Sequence, residues 1–304
     1  MFKKIYNRAR VEFIVEPVTP VLIKSGGVSL DPNRPDMESV RVKTVFGEVP
    51  YLPGSSLKGV IRSHAERILR TLGYHCCEVG VCKSDQKEHC FACRLFGSTS
   101  VASRMRITDA YPWTIIASQE QVKGIVENIE KYVSTESRTS VRIDRRKGTA
   151  AGTALFESEV VTGGSFFGEF TLTNYQLWQL ALIALVIRDI DVGFQRIGSA
   201  KSRGFGRVKA RINSFEIHQY GPLSCSGRQL CGIGILDEQT RSNYGLIRDD
   251  SVATDSIPFA VPEQIILGMM EVVKSSGEAA AEWTKLIELI LQSRHWQRLI
   301  RKDG

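Results

Sequence analysis

Pro53-Gly54-Ser55-Ser56-Leu57-Lys58-Gly59 is the stretch on which the reading of this chain turns. A short apolar, strand-like segment with Val49, Tyr51 and Leu52 leads into it. Behind it Leu57, Val60, Ile61, His64, Ala65, Ile68, Leu69 and Leu72 recur at the i, i+3, i+4, i+7 spacing of one buried helix face. Pro-Gly supplies the turn, Ser55 or Ser56 is the expected N-cap, and Gly73 the expected stop. A helix start presents unpaired N–H groups and the positive end of a dipole, here beside two hydroxyls and Lys58. The same residues also describe a plain capped helix, so the rest of the chain must decide. His64 falls on the apolar face and reads as a core histidine rather than a catalyst.

Working outward, residues 9–24 read as a first strand, bent at Pro17 and Pro20. Ser25-Gly26-Gly27 opens a polar loop that runs through Asp31 and Asp36. Its prolines and aspartates exclude a helix or a central strand, and a loop of that length is often functional. On the other side, five of the seven cysteines (Cys76, Cys77, Cys82, Cys90 and Cys93) fall within one short window. Cys90-Phe-Ala-Cys93 is a Cys-x-x-Cys knuckle. Cys77 and Cys82 form a second pair, with Cys76, His75 and His89 as alternative ligands. Two chelating turns of thiolates are what tetrahedral zinc needs, and four protein ligands close its coordination sphere. The expectation is a structural zinc ion, not disulfides and not metal chemistry.

Residues 103–109 read as a second strand and 119–133 as a helix. The densest basic patch follows, with Arg138, Arg142, Arg145, Arg146 and Lys147 around Val141 and Ile143. It is either a solvated hairpin or a phosphate-binding arm. Residues 155–172 suggest a hairpin or consecutive strands. Thr173-x-x-Gln176 looks like a capping box before a helix to about Asp189 that is apolar on nearly every side and must be buried. Gly198-Ser-Ala-Lys201-Ser202-Arg203-Gly204-Phe-Gly206 then mixes glycines with cations. Glycine lets backbone amides approach a ligand, and Lys and Arg neutralise phosphates. The spacing matches neither a P-loop nor a dinucleotide fingerprint. A strand through Val208, Ala210 and Ile212 closes the series.

That order, strand-helix-strand-strand-helix-strand, is the split β-α-β arrangement of an α+β, ferredoxin-like (RNA-recognition-motif-like) core. Residues 1–220 are read as one domain, with a zinc-bearing insertion at about 74–98 and a further insertion at about 119–160. Residues 221–304 are read as an extension. Its stretch 225–260 is poorly patterned, and a last helix from about Glu278 carries Trp283, Leu286, Ile287, Ile290, Leu291, Trp296 and Leu299 in one stripe. The chain has 304 residues and a net charge of +7, which agrees with an anionic partner. No apolar run approaches a membrane span or a signal peptide, so a cytoplasmic location is expected, with no membrane partner.

With these pieces in order, Tyr51-Leu-Pro-Gly-Ser-Ser-Leu-Lys-Gly-Val-Ile-Arg62 resembles the signature of RAMP-superfamily CRISPR proteins. Cys90–Gly97, Ile143-Asp-Arg145 and Gly198–Gly206 resemble its other landmarks, over residues ~9–215. The resemblance is to the palm-and-thumb backbone subunit of type III effector complexes, the Csm/Cmr class, including the III-D kind. It implies CRISPR RNA, complementary target RNA and the other subunits of the complex as partners. It also implies target-RNA cleavage with Mg²⁺ or another divalent cation, through an aspartate in the loop after the first strand. Asp36 is the favoured aspartate and Asp31 the alternative. On the resemblance, Ser55, Ser56, Lys58, Arg62, Arg138, Arg142, Arg145, Arg146, Gly198, Lys201, Ser202, Arg203 and Gly204 would contact RNA. A non-catalytic guide-binding subunit and a guide-processing endonuclease are the competing readings.

Overall fold

A computed structural model describes residues 3–24, 35–78, 82, 88–223, 229–253, 270–274 and 278–301. Asp31 and Cys225 lie outside the described residues. Strand β1 (Asn7–Pro17) buries Ala9, Val11, Phe13 and Val15 and turns Arg8, Arg10 and Glu12 outward. This is the period-two pattern of a strand with one covered face. A hairpin of β2 (Arg41–Thr44) and β3 (Gly47–Pro50) leads to helix α1 (Gly54–Thr71). Then come α2 (Phe91–Phe96), β4 (Met105–Ile107), α3 (Gln119–Glu127) and α4 (Ile129–Tyr132). A long hairpin follows, β5 (Val133–Ile143) with β6 (Ala150–Gly164), then β7 (Phe166–Thr173), α5 (Leu177–Asp191) and β8 (Val208–Tyr220). The tail holds β9 (Gln229–Cys231), α6 (Glu238–Tyr244), β10 (Ser251–Ala253), β11 (Met270–Lys274), α7 (Ala279–Gln292) and α8 (Arg294–Arg301).

The fold is α+β around one antiparallel sheet in the order β11-β8-β1-β7-β4. The register between β1 and β8 shifts at Glu12/Phe13, where Asn213 is the extra residue. In an unshifted ladder the two-residue alternation would turn either Ile212 or Phe215 to solvent; with the shift both are buried. Gly168 stands opposite Phe13, and a Cβ there would meet the Phe13 ring at 2.6 Å. Leu57 and Ile61 of α1 and Ile187 and Ile190 of α5 close over Phe13, Val15 and Phe170. Trp283 of α7 packs edge-on against Phe170 and Phe215. The tail thus lies on the core.

Several local expectations are corrected. Pro53, not Ser55 or Ser56, occupies the N-cap of α1, and no side chain of its own turn caps it. The Gly54 N–H instead donates to Asp109 Oδ1 at 2.7 Å. Gly54 is pressed so close to Thr108 O that a Cβ would sit 2.7 Å from it. The capping box of α5 is Gln176 with Gln179, three residues later than Thr173-Gln176, because Thr173 is still in the sheet opposite Arg8. Asp250, fully buried, adds a distant cap by accepting the Leu177 and Gly234 N–H groups. The poorly patterned stretch is therefore ordered where it is described. The single last helix is two, broken at Ser293, whose hydroxyl donates to Ile290 O and accepts from the Trp296 N–H. The helix expected over 119–133 is likewise two, α3 and α4, parted at Asn128.

Candidate nucleic-acid interface and metal centre

The glycine-rich loop lies directly on the segment after β1. Ser199 N–H donates to Leu22 O at 2.7 Å, and Gly206 N–H to Pro20 O at 2.9 Å. Gly198 and Gly206 both have positive φ, and a Cβ on either would collide with backbone oxygen, at 2.6 Å from Leu22 and 2.1 Å from Ile197. Only glycine satisfies both demands. Between them Lys201, Ser202 and Arg203 form one exposed turn, followed by Gly204 at φ 92°. Arg196 donates to Lys201 O at 3.0 Å and steadies that turn. The Lys201 pKa is lowered, by burial and by the nearby Arg67 charge.

A groove of about 240 Å³ joins this loop to the hairpin: Lys24, Met37, Arg138, Ser199, Arg203 and Phe205 are among its walls. Asp36, one residue from that wall, is exposed, and its Oδ2 accepts the Glu157 N–H at 2.9 Å. Met37 N–H donates to Glu157 O and Met37 O accepts from Glu159, so the segment is bound to β6 by its backbone. Arg138 reaches the groove while also pairing with Glu136 at 3.0 Å. Arg142, Arg145 and Arg146 are exposed farther along the hairpin, whose turn is held by Asp144 accepting the Arg146 N–H at 2.8 Å. Arg138 and Arg203, distant in sequence, are thus brought to one opening, and Asp36 adjoins its Met37 wall.

The start of α1 is built differently. Lys58 Nζ donates to Ser103 Oγ at 2.9 Å, and its pKa is lowered, first by burial and then by Arg62. Arg62 donates to Glu66 at 2.9 Å and to Gly97 O at 3.0 Å, and reaches Cys93 Sγ at 3.7 Å. These two cations brace α1 against the segment 93–103. Ser55 is exposed and Ser56 half-buried. Farther along α1, His64 Nε2 lies 2.6 Å from Asp189 Oδ2, and Arg67 donates to Gln195 Oε1 at 2.6 Å. Arg67, exposed and beside Lys201, is a cation that sequence spacing did not single out.

The thiols of Cys77, Cys82, Cys90 and Cys93 all lie within 4.8 Å of one another. Cys77 Sγ is 3.3 Å from Cys93 Sγ and 3.6 Å from Cys90 Sγ. Tetrahedral zinc with bonds of about 2.3 Å separates its sulfurs by roughly 3.8 Å, so this donor set fits the ion. Cys76 is not one of the four: its thiol turns to Glu66 O at 3.8 Å. His89 is buried against Ser100 Oγ at 3.2 Å, and His75 is exposed. Cys90 Sγ also accepts the Cys93 N–H, which caps α2.

A further groove, of about 820 Å³, opens at the root of the hairpin with Trp113, Gln121, Lys131, Tyr132, Ser134 and Phe167 in its walls. Sequence reading passed over it. Its aromatics come from three separate segments with no shared period, so no local signal could have gathered them.

An antiparallel α+β core with a glycine-cation loop, a basic hairpin and a four-thiol knuckle defines a class of protein. The family model of the RAMP superfamily matches residues 14–209, and the chain belongs to that superfamily. A curated relative, the CRISPR system Cms endoribonuclease Csm3 of Methanocaldococcus jannaschii, is 29% identical over 185 residues. That alignment covers 56% of this chain and 66% of the relative, just under two thirds of its length. Among the described residues no helix is long and apolar enough to cross a membrane.

Proposed function

We propose that this chain is a backbone subunit of a type III CRISPR effector complex, binding CRISPR RNA and cleaving complementary target RNA. The observation that carries the reading is the meeting of Arg138 and Arg203 in one groove, with Asp36 next in the chain to its Met37 wall. The strands β1, β4, β7 and β8 stand in the sheet order fourth-first-third-second, which supports a ferredoxin-like core. Residues 1–220 would be its RNA-binding domain, with Cys77–Cys93 as a structural zinc insertion, the hairpin as a thumb, and 221–304 as an extension. The exposed cations Arg142, Arg145, Arg146, Lys201 and Arg203 suit a phosphate backbone. Lys58 and Arg62 act instead as braces.

RNA carries its own nucleophile. The 2′-oxygen attacks the adjacent phosphorus, the bond to the 5′-oxygen breaks, and that oxygen takes a proton from water, so that a 2′,3′-cyclic phosphate and a 5′-hydroxyl result. The protein must hold that geometry in line, accept the 2′-hydroxyl proton and balance charge on the phosphate. Asp36 supplies the carboxylate and Arg203 and Arg138 the charge. A divalent cation would supply further charge neutralisation, with Asp36 as its protein ligand and the RNA completing the coordination.

Among the described residues the cysteines form the only cluster of three or more side chains able to hold a metal. That single-carboxylate site is what favours a second reading, a guide-binding subunit without cleavage. Asp36→Ala in the assembled complex separates the two. Loss of metal-dependent target cleavage with target binding intact supports the first. Unchanged cleavage removes Asp36 and leaves Asp31 or another subunit.

A further inference from the structure

The segment that carries Asp36 is held by more than its backbone. Met37 bridges Ser158 in parallel, so this segment adds to one edge of β6 while β5 occupies the other. A little farther on, Ser39 is only 3% exposed, and its N–H therefore needs an acceptor inside the protein. Glu159 Oε2 accepts it at 3.2 Å, and the Ser39 hydroxyl donates to Glu159 O at 2.8 Å. The other oxygen of the same carboxylate, Oε1, takes the Arg41 guanidinium. One side chain of β6 thus grips both ends of Ser39–Arg41. On the far side Val40 N–H donates to Ile23 O at 2.9 Å, and Lys24 bridges Ser39. Arg41 then opens β2, which pairs with β3 on the way to α1.

Glu159 does not belong to the groove itself. Phe156 and Ser158 of β6 line the groove with Arg138 and Arg203, and side chains alternate along a strand, so Glu159 points to the opposite face. Its side chain is 16% exposed, and both its oxygens are spent on the chain's own groups. At the start of the segment Asp36 Oδ2 accepts the Glu157 N–H, which leaves Oδ1 for a proton or a cation. A single bridge such as Met37–Ser158 specifies register weakly. A slip of one residue would carry Asp36 about 3.3 Å along β6 and turn it to the other face. The carboxylate of Glu159 meets one N–H and one cation at fixed places, and no slipped register satisfies both.

We propose that Glu159 is a positioning residue for Asp36: its two-oxygen grip on Ser39 and Arg41 fixes where along β6 the Asp36 carboxylate stands. This rests on the cleavage reading above.

The test uses the assembled complex with guide RNA. It follows single-turnover cleavage at saturating target, and beside it target affinity at several salt concentrations. Glu159→Gln keeps the shape and one acceptor but loses the charge and the second acceptor. The expected result is cleavage slowed by about 10- to 100-fold with target affinity and salt slope unchanged. Arg41→Ala shows the same split to a smaller extent, and Arg41→Lys regains part of the rate. In the double variant Glu159→Gln with Arg41→Ala the losses do not multiply, because both break one pair. Should the Glu159 variant fail to assemble, Arg41→Ala against Arg41→Lys decides, since Arg41 is the more exposed partner. If Asp36→Ala abolishes cleavage while Glu159→Gln and Arg41→Ala cleave like the parent, the positioning role is overturned and the cleavage reading stands. If the variants lose target affinity or salt slope in step with cleavage, the clamp serves RNA binding or the fold, and the proposal falls. If Asp36→Ala cleaves like the parent, the reading of Asp36 falls and this one with it.

Discussion

Two regions of this molecule carry the same ingredients, glycine, serine and cations, and use them in opposite ways. At the start of α1, Lys58 and Arg62 turn inward to Ser103, Glu66, Gly97 and Cys93, and Asp109 already occupies the first N–H of the helix. In the loop Gly198–Gly206, Lys201 and Arg203 stay exposed on a turn whose two end glycines, Gly198 and Gly206, are packed against backbone. The difference follows from what each turn faces. The first abuts the cysteine knuckle and β4, so its charges find partners and become braces. The second abuts the segment after β1 and faces the groove toward the hairpin, so its charges remain open. A helix N-terminus is an anion site only while no side chain of the protein has filled it.

The largest effect should come from the knuckle against which α1 is braced. Cys90→Ser removes one of the four thiols while leaving a hydroxyl that can still cap α2. Loss of a structural metal belongs to the most damaging class of substitution, so a cost of roughly 4 kcal/mol or more is expected. Thermal unfolding with bound zinc measured on the same samples checks it. Cys76→Ser should leave the metal content unchanged, since Cys76 stands outside the set; loss of zinc there would redraw the site.

A smaller effect tests the joint between the two regions. The second half of α1 is clamped to α5 by His64–Asp189, and to the approach to the glycine loop by Arg67–Gln195. Burial alone would raise the Asp189 pKa, but hydrogen bonds and charge from His64 and Arg188 outweigh it and hold the carboxyl below its ordinary value. A depressed folded value stabilises the protein above the unfolded value of about 3.9 and is lost as pH falls through the folded one. Asp189→Asn should therefore cost about 2 kcal/mol at neutral pH and markedly less near pH 3. Urea unfolding at both pH values measures this. An equal cost at both would mean the pair owes nothing to charge.

The order of strands and helices was legible because hydrophobic patterning is local: β1, α1 and the start of β8 carry a period in consecutive residues, and α5 an almost unbroken apolar run. The cysteine set was legible but for one member, since adjacent Cys76 and Cys77 differ only in which way the chain turns them. Caps supplied from afar were not legible. Asp109 lies 55 residues from Gly54 and Asp250 lies 73 from Leu177. The inward turn of Lys58 and Arg62 was equally hidden, because their partners Ser103 and Gly97 belong to another element. Charge can be counted in a sequence, but whether a charge is already paired cannot.

The open region should answer through salt. If Arg203 and Arg138 lie on phosphates, each alanine substitution should weaken single-stranded RNA binding by about 1 kcal/mol. Each should also lower the slope of log K against log salt by roughly 0.7. Titrations at several salt concentrations give both numbers. Weaker binding with an unaltered slope would mean that these arginines shape the groove without touching the backbone of the RNA.

The smallest effect is the sharpest. Lys58→Met keeps the stem that packs beside Ser103 and removes only the ammonium, a group whose protonation burial and Arg62 already disfavour. Since that charge is directed into the protein, RNA affinity should change less than about twofold and the salt slope should stay within error, because one phosphate contact is worth about 0.7 of slope. A fall of that size in Lys58→Met would show that the lysine swings out to the RNA when it binds. The contrast between a bracing turn and a binding turn would then belong to the free protein alone, and α1 would rejoin Arg138 and Arg203 as part of one interface.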